Sequence, residues 1–198
     1  KENLSFVYST KGQLNLFRIF IERGIQLLKE NGIICYINPN TLLADKSSSG
    51  LRNLIRNNLK TNFFLEFPES SHVFENVSQA VVIFLCEKIS KNDNFFNLAF
   101  NLKIQDLNSY DPIKVNWQDI DKITGKDLNI PLIKSQSELN ILKKLHTLSK
   151  YSILKKSCKA ILNGDIHLTH HKKFLSNRKI KNILIRGEHI QRYKLNLS

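Results

Sequence analysis

The 198-residue sequence has no methionine, only four prolines and no long run of apolar residues. A helix that crosses a bilayer needs roughly 18 or more consecutive apolar residues, and no stretch here approaches that length. The chain also opens without the basic and then apolar segment of a secretory signal. Hydrophobic residues make up 41% of the composition, as in folded domains rather than disordered chains. These features predict a globular cytoplasmic protein that does not span a membrane.

Glycine is equally scarce, and its spacing excludes two common nucleotide-binding motifs. The seven glycines stand at positions 12, 24, 32, 50, 125, 164 and 187. No two are spaced for the G-x-G-x-x-G turn that binds dinucleotides or for the G-x-x-x-x-G-K loop that binds nucleotide phosphates. A glycine-rich cofactor loop is therefore not encoded in this stretch of chain.

Cysteine and histidine give little reason to expect a disulfide or a metal. The three cysteines are Cys35, Cys86 and Cys158. They lie far apart in apolar surroundings without C-x-x-C spacing, which predicts reduced thiols in the core of a cytoplasmic protein. The candidate for a metal site is a histidine cluster, His167, His170 and His171, in which only the first and last stand four residues apart. No cysteine or acid follows at zinc-ligand spacing, so we expect a polar or DNA-facing cluster and no metal site.

Acidic residues are nearly absent from the last third of the chain. Residues 1–130 carry 15 Lys and Arg against 14 Asp and Glu, whereas residues 131–198 carry 15 against only three acids. Codon bias could enrich lysine throughout a chain but would not confine the imbalance to one part of it. A cationic segment joined to a neutral one is the electrostatic signature of a part that binds a polyanion.

The clearest local pattern lies at residues 14–43, LNLFRIFIERGIQLLKENGIICYINPNTLL. Apolar residues at i, i+3, i+4 and i+7 spacing predict an amphipathic helix. Asn31-Gly32 supplies the left-handed backbone that ends it. Residues 33–37 form a nearly unbroken apolar run, typical of a strand covered on both faces. A helix that feeds such a strand is half of a doubly wound α/β unit.

Further helices and strands follow. We expect a helix at about 50–60 with Arg52, Arg56 and Lys60 facing outward, then a strand at 61–67 and strands at about 79–86 and 95–104. The mixed, turn-rich segment at 108–129 is interpreted as a linker region, and regularly spaced leucines predict a helix at 137–148. After residue 151, turns at Asn163-Gly164 and Arg186-Gly187 predict several short strands.

Residues 20–42 fit the pattern F-I-E-R-G-x-x-L-L-K-x-x-G-I-I-x-x-I-x-P-N-x-L. This pattern resembles the segment that follows the catalytic motif in TaqI-like adenine-N6 DNA methyltransferases of type II restriction–modification systems. The resemblance continues through an L-R-x-x-I helix at 51–55 and a V-F-E-N-V-x-Q-A-V-V-I segment at 73–83. Nearer the end, A-I-L-N-G-D-I-H-L-T-H-H-K-K-F and L-I-R-G-E-H-I-Q-R-Y-K resemble the beginning of that family's specificity domain.

The resemblance implies an α/β fold in three parts. Residues 1–110 would be the second half of an S-adenosylmethionine-dependent methyltransferase domain with a Rossmann-like sheet. Residues 111–150 would be a linker and helix, and residues 151–198 the beginning of a smaller, mostly β target-recognition domain.

Two hallmarks of that family are missing from the sequence. Its cofactor loop is glycine-rich and its catalytic motif is N-P-P-Y, and neither occurs here. Asn38-Pro39-Asn40 lacks the second proline and the tyrosine, and it matches the family's later, non-catalytic strand end. The resemblance therefore implies a segment that holds no catalytic residue, is inactive alone, and contains only part of the S-adenosylmethionine site.

The resemblance also assigns secondary contacts. The segment N-L-F-R-I-F at 15–20 matches the family's N-L-Y-x-x-F, whose leucine and second aromatic line the adenine pocket of S-adenosylmethionine, here Leu16 and Phe20. The alternative is that both are ordinary core positions of an amphipathic helix. The strand at 81–85 corresponds to one that presents an aromatic ring to the extruded base, which indicates Phe84, or Leu85 if the register differs by one. Core packing is the alternative for Phe84.

The basic tail is expected to contact double-stranded DNA. Its Lys and Arg residues would neutralise phosphates, a contribution that weakens as salt rises. Arg186 or Arg192 would alternatively contact guanine edges, and a solvated basic face is the remaining interpretation. The expected DNA-contacting residues are Lys172, Lys173, Arg178, Lys179, Lys181, Arg186, His189, Arg192, Tyr193 and Lys194.

The resemblance favours a fragment of a site-specific DNA adenine-N6 methyltransferase. Its partners would be double-stranded DNA and the N-terminal catalytic half, as a separate chain or an absent segment, because the strand at 33–37 would otherwise lack its inner neighbour and leave an exposed edge. The start at Lys1 and the end at Ser198 are both expected to continue in a longer protein. The alternative is a non-catalytic DNA-binding specificity subunit that acts with a separate catalytic chain.

Overall fold

The computed structural model describes residues 5–10, 12, 14–75, 77–89, 94–147, 173, 190–191 and 194–195. The chain divides into two compact units, Lys1–Tyr151 and Ser152–Ser198. The first unit contains α1 (Leu16–Leu27), β1 (Ile33–Pro39), α2 (Thr41–Ala44), α3 (Ser49–Asn58), β2 (Lys60–Phe67), β3 (Val81–Glu87), β4 (Phe95–Ala99), β5 (Ile113–Asn116), α4 (Trp117–Thr124) and α5 (Gln136–Thr147). In the second unit, the described β6 (Ile190–Gln191) and β7 (Lys194–Leu195) pair antiparallel.

The first unit is built on a mixed five-stranded sheet with the strand order β1-β3-β2-β4-β5. β3 lies between β1 and β2 and is antiparallel to both, while β2 and β4 are parallel. The predicted α/β class is confirmed. Among the described strands, β1 is the outermost on its side of the sheet.

The predicted helix, turn and strand at residues 14–43 all form. The side chain of Asn15 caps α1 by accepting the N–H of Phe17, and Asn31 takes the left-handed conformation, with φ of 62°, that turns the chain into β1. Ile21 and Ile25 of α1 pack with Ile34 in the main core. The apolar periodicity of α1 therefore correctly indicated an amphipathic helix that packs on one face of β1.

The prediction that β1 is covered on both faces is wrong. Ile34 is 5% exposed, whereas Ile33 and Ile37 on the opposite face are 62% and 50% exposed. Among the described residues, the helical layer covers only the face that carries Ile34. Cys35 lies on the same uncovered face and is exposed, so the prediction that it is a core thiol is wrong. Cys86 is buried as predicted, and burial raises the pKa of its thiol to about 12; Cys158 lies outside the described residues.

The segment at 108–129 is not a linker. It forms β5 and α4, and Val115, Trp117 and Ile120 are buried in the same core as α1. The indole Nε1 of Trp117 donates to Thr61 Oγ1 at 3.1 Å, which joins α4 to β2. Apolar residues at alternate positions in β5 and at every third position in α4 carry this packing. The first unit therefore continues through the helix at 136–147.

A second, smaller core lies on the other face of the sheet. It is formed by Leu65, Phe67, Val81, Ala99 and Leu102, with Val73 and Tyr110 packed against it. This cluster anchors the loop between β2 and β3 through Val73. None of the described helices is long and apolar enough to cross a membrane.

Candidate functional site

The carboxyl ends of β1 and β2 meet at one edge of the sheet. Pro39 of β1 and Phe67 of β2 are both paired with Val81, at the amino end of the antiparallel β3. The described chain segments that meet there are residues 40–48, 68–75 and 77–80, which we call the rim. Ligands of open α/β sheets bind beyond the carboxyl ends of the strands, so the rim is the first place to look for a site.

The Asn-Pro-Asn end of β1 is held by a buried carboxylate. Glu66 is 7% exposed, and it accepts the side-chain amide of Asn40 at 3.4 Å and the backbone N–H of Asn101 at 2.9 Å. The backbone N–H of Asn40 donates to Ala80 at 3.1 Å. These bonds join three segments at the rim and give Asn40 a structural position.

A polar cleft of about 260 Å³ opens at the rim beside the start of α1. Arg18, which is 2% exposed, donates from Nη1 to the carbonyl oxygen of Ser47 at 2.9 Å in its wall. Oδ1 of Asp45 accepts both the N–H and the hydroxyl of Ser47, at 2.7 and 2.6 Å. The hydrogen bonds from Ser47, aided by the charges of Arg18 and Arg52, lower the pKa of Asp45 below its ordinary value.

Arg52 fixes the backbone of the rim from behind. Its guanidinium is fully buried and donates to the carbonyl oxygens of Leu42 and Asp45, both at 2.9 Å. It also donates to Asp127 and to the side chain of Asn129. Burial lowers the pKa of Arg52 to about 10, against the charges of Asp127 and Asp45, so the side chain remains a cation at neutral pH. The expectation that Arg52 faces outward is wrong, because these carbonyl oxygens hold it inside.

Glu22 holds the segment that precedes α1. The carboxylate is 1% exposed and accepts three successive backbone N–H groups, from Val7 at 2.8 Å, Tyr8 at 3.1 Å and Ser9 at 2.7 Å. Burial raises the pKa of Glu22, but the hydrogen bonds from residues 7–9 outweigh it and lower the pKa below its ordinary value. The segment 7–9 is therefore fastened to α1 by a charged carboxylate.

Leu16 and Phe20 lie on the outside of α1. They are 68% and 66% exposed, so the alternative that they are core positions is wrong. Standing four residues apart, they share one face of the helix. The two side chains predicted to line an adenine pocket thus form an exposed apolar surface.

Phe84 does not lie where a base can reach it. Its side chain is fully buried, and its ring contacts Tyr36 and Phe64 at centroid distances of 6.1 and 6.0 Å, as the core-packing alternative predicts. The exposed aromatic in the same part of the chain is Phe74, which is 44% exposed in the rim loop between β2 and β3. Sequence reasoning missed Phe74, although the signal was available as an aromatic in a polar loop before a strand.

Most of the predicted DNA-contacting residues lie outside the described part of the chain. The exceptions are Lys173, which is exposed, and Lys194, which lies in β7. The histidines at 167, 170 and 171 also lie outside it. Within the described residues, no three His, Cys, Asp or Glu side chains are grouped as metal ligands.

Comparisons with known proteins agree on one class of enzyme. Residues 1–74 match the sequence model of the Eco57I restriction-modification methylase family. Over 135 residues, 68% of the chain, the sequence is 33% identical to the type II methyltransferases M.HincII and M.HindII of Haemophilus influenzae. The chain spans about a quarter of the length of these curated relatives, 25% and 24%. The similarities of this part of the chain are thus to restriction–modification methyltransferases.

Three solved structures are similar to part of the chain. The type IIG restriction endonuclease BpuSI matches 71% of this chain and 13% of its own, with a TM-score of 0.40 and 14% identity. A type I R-M system complex matches 64% of this chain and 36% of its own, with a TM-score of 0.48 and 10% identity. A DrdV–DNA complex matches 67% and 15%, with a TM-score of 0.46 and 10% identity.

Proposed function

We propose that the chain is part of a site-specific DNA adenine-N6 methyltransferase of a type II restriction–modification system. The observation that carries the proposal is the 33% identity to two type II methyltransferases over 135 residues. The first unit would supply the later part of a Rossmann-like catalytic domain. Because β5 and α4 pack into its core, we extend that domain through α5 rather than ending it at residue 110. Residues 151–198 would begin the target-recognition domain, with the basic residues of the tail on DNA.

The cofactor of such an enzyme is S-adenosylmethionine, which supplies the methyl group. Leu16 and Phe20 fit part of its site, because two exposed apolar side chains on one helical face would cover an adenine ring. The glycine-rich loop of a complete cofactor site is not encoded near them, since no such loop occurs in the sequence. In this proposal the chain contributes one apolar wall of the pocket, and the partner half contributes the rest.

The partner half would add to the sheet beside β1. An outermost strand leaves backbone N–H and C=O groups available for pairing with another strand, and β1 is outermost in the described sheet. Ile33 and Ile37 on the uncovered face of β1 are apolar and exposed. A strand and covering elements from the N-terminal catalytic half would bury both the edge and this face.

Contact with the extruded base is reassigned from Phe84 to Phe74. The ring of Phe84 is fully buried, whereas Phe74 stands exposed in the rim, held there by its neighbour Val73 in the second core. Aromatic rings stack on extruded bases in enzymes that act on them. Phe74 is therefore the aromatic of this stretch that would meet the adenine.

The test combines this chain with a polypeptide that carries the glycine-rich loop and N-P-P-Y. The two are co-expressed, purified together and incubated with duplex DNA and tritiated S-adenosylmethionine, and the product nucleosides are separated to identify N6-methyladenine. We expect methyl transfer by the pair and none by either part alone. Salt-dependent DNA binding without any restored transfer would instead favour the non-catalytic specificity subunit. Failure of the chain to bind duplex DNA at low salt would contradict both functions.

A further inference from the structure

The polar cleft beside α1 has no role in the function proposed above. Its wall includes Asn15, Arg18, Thr41, Asp45, Ser48 and Gln79. All six belong to the first unit and come from the start of α1, the loop after β1 and the segment before β3. The cleft thus opens at the rim, where a ligand of this sheet is expected.

One wall of the cleft contains a buried hydroxyl without a partner. Ser48 is 1% exposed, and its Oγ makes no hydrogen bond to any described residue. Ser48 stands at the N-cap position of α3, yet its hydroxyl caps no backbone N–H there. Buried polar atoms are nearly always satisfied in native proteins. An oxygen-bearing group in the cleft would give this hydroxyl its missing partner.

A buried cation and the start of a helix lie beside this hydroxyl. Arg18 is buried at 2% exposure, and α1, a 12-residue helix, begins there at Leu16. The amino end of a helix carries a partial positive charge and attracts anions. Asp45 is the acid in the wall, and its Oδ1 already accepts the N–H and hydroxyl of Ser47. The cleft therefore places the Arg18 guanidinium and the amino end of α1 near an unpartnered hydroxyl.

We propose that this cleft binds one phosphate of the DNA backbone, with Ser48 Oγ and Arg18 as its contacts and the positive amino end of α1 beside them. Proteins hold DNA phosphates with these groups, namely Arg, Ser, Thr, Asn and Gln side chains and helix N-termini. The inference rests on the proposed function, which supplies DNA as the substrate. A free phosphate ion presents the same oxygens, so the experiment separates the two sources.

The first measurement is the affinity of the 198-residue chain for a fluorescent duplex at low salt. Ser48→Ala should weaken binding about three- to tenfold, the range expected for one lost hydrogen bond. The fold should be unaffected, because the hydroxyl has no partner among the described residues. Ser49→Ala, one residue further along, is the matched control and should bind like the wild type. Arg18→Gln should reduce the dependence of log affinity on log salt by about one, as expected when one phosphate contact is lost.

The second measurement uses duplexes in which one phosphate at a time is replaced by a neutral methylphosphonate. One position should weaken binding by the wild type but have no further effect on Ser48→Ala. If Ser48→Ala and Ser49→Ala bind alike and no position distinguishes them, the inference is wrong while DNA binding itself stands.

Titration of the isotope-labelled chain with inorganic phosphate identifies the source of the anion. A shift of the Ser48 amide signal at millimolar phosphate is expected, and duplex DNA should suppress it by competition. If phosphate shifts the signal but the chain binds no duplex at low salt, DNA is not the source and the proposed function also fails. If neither phosphate nor DNA shifts the signal, the cleft is not an anion site.

Discussion

Arg52 and Asp127 are joined by two hydrogen bonds across 75 residues of sequence. Nε and Nη2 of the guanidinium donate to the carbonyl oxygen of Asp127 at 3.0 and 2.7 Å. The same guanidinium donates from Nη1 to Leu42 and Asp45 on the other side. One buried cation thus joins the loop that lines the cleft to the segment after α4. The rim and the segment after α4 should therefore lose stability together when this cation is replaced.

Replacement of Arg52 by lysine should lower the free energy of unfolding by about 3 kcal/mol. A lysine ammonium cannot reproduce the planar fork of donors, so several buried carbonyl oxygens would lose their partners. Urea unfolding followed by the emission of the single tryptophan, Trp117, measures the change. Arg56→Lys is the control, because Arg56 makes a partly exposed ion pair with Asp121 at 3.2 Å and should change stability by less than about 1 kcal/mol. Equal effects of the two variants would contradict the role assigned to Arg52.

Replacement of Glu22 by glutamine should destabilise the protein at neutral pH by roughly 1–3 kcal/mol, because a buried charged acceptor of three N–H groups is lost. The pKa of Glu22 lies below its ordinary value of 4.5 in the folded state. Its contribution is therefore complete above about pH 4.5 and is lost as pH falls through the folded pKa. Urea unfolding at pH 7, 5, 4 and 3 measures the prediction. The difference in the free energy of unfolding between wild type and variant should decrease only at the lowest pH values.

Glu30→Gln is the matched control, since Glu30 is exposed and lies 3.7 Å from Lys88. A difference that stays constant down to pH 3 would show that Glu22 does not act through its charge.

The fold could be predicted wherever one apolar pattern had one structural solution. Residues 16–39 gave a correct helix, turn and strand because periodicity and Asn31 agree. The sequence left open which face of α1 is buried, since Leu16 and Phe20 are as apolar as Ile21 and Ile25 and periodicity cannot rank two apolar faces. Burial of Arg18 and Glu22, which stand four residues apart, could not be foreseen either. Their partners, Ser47 and residues 7–9, are backbone groups that no side-chain pattern reveals.

The candidate site was predictable only in part. The position of the rim can be predicted from the carboxyl ends of the strands, and the family resemblance indicated residues 73–84 as a functional segment. Choosing between Phe74 and Phe84 requires the register of β3, which places Phe84 opposite Phe64 and Tyr36 on the helix-covered face. The cleft depends on Arg18 meeting the backbone of Ser47 across 29 residues of sequence, a contact that local sequence does not encode.

Phe74→Ala should weaken binding of a duplex with an extruded adenine by about 1–3 kcal/mol, the value of one base–aromatic stack. It should leave the unfolding midpoint nearly unchanged, because Phe74 is 44% exposed. Phe84→Ala should behave in the opposite way and lose about 3–5 kcal/mol of stability, because its ring is fully buried. Binding is measured with this chain assembled with the N-terminal catalytic half. The duplex contains 2-aminopurine at the target position, and the emission of this base reports stacking. If Phe74→Ala has the affinity and the emission of the wild type, Phe74 does not contact the extruded base.

Ile37→Lys tests whether the outer side of β1 receives the partner half. Ile37 is 50% exposed on the uncovered face of β1, so lysine should change the stability of the chain alone by no more than about 0.5 kcal/mol. A charge there should prevent the partner from covering the face, as charged side chains do on natural edge strands. Co-purification with the N-terminal half should therefore fall sharply, together with methyl transfer. Ile141→Lys is the matched control, because Ile141 is 56% exposed on α5, away from the edge. If Ile37→Lys assembles as well as Ile141→Lys, the partner half does not add to the sheet beside β1.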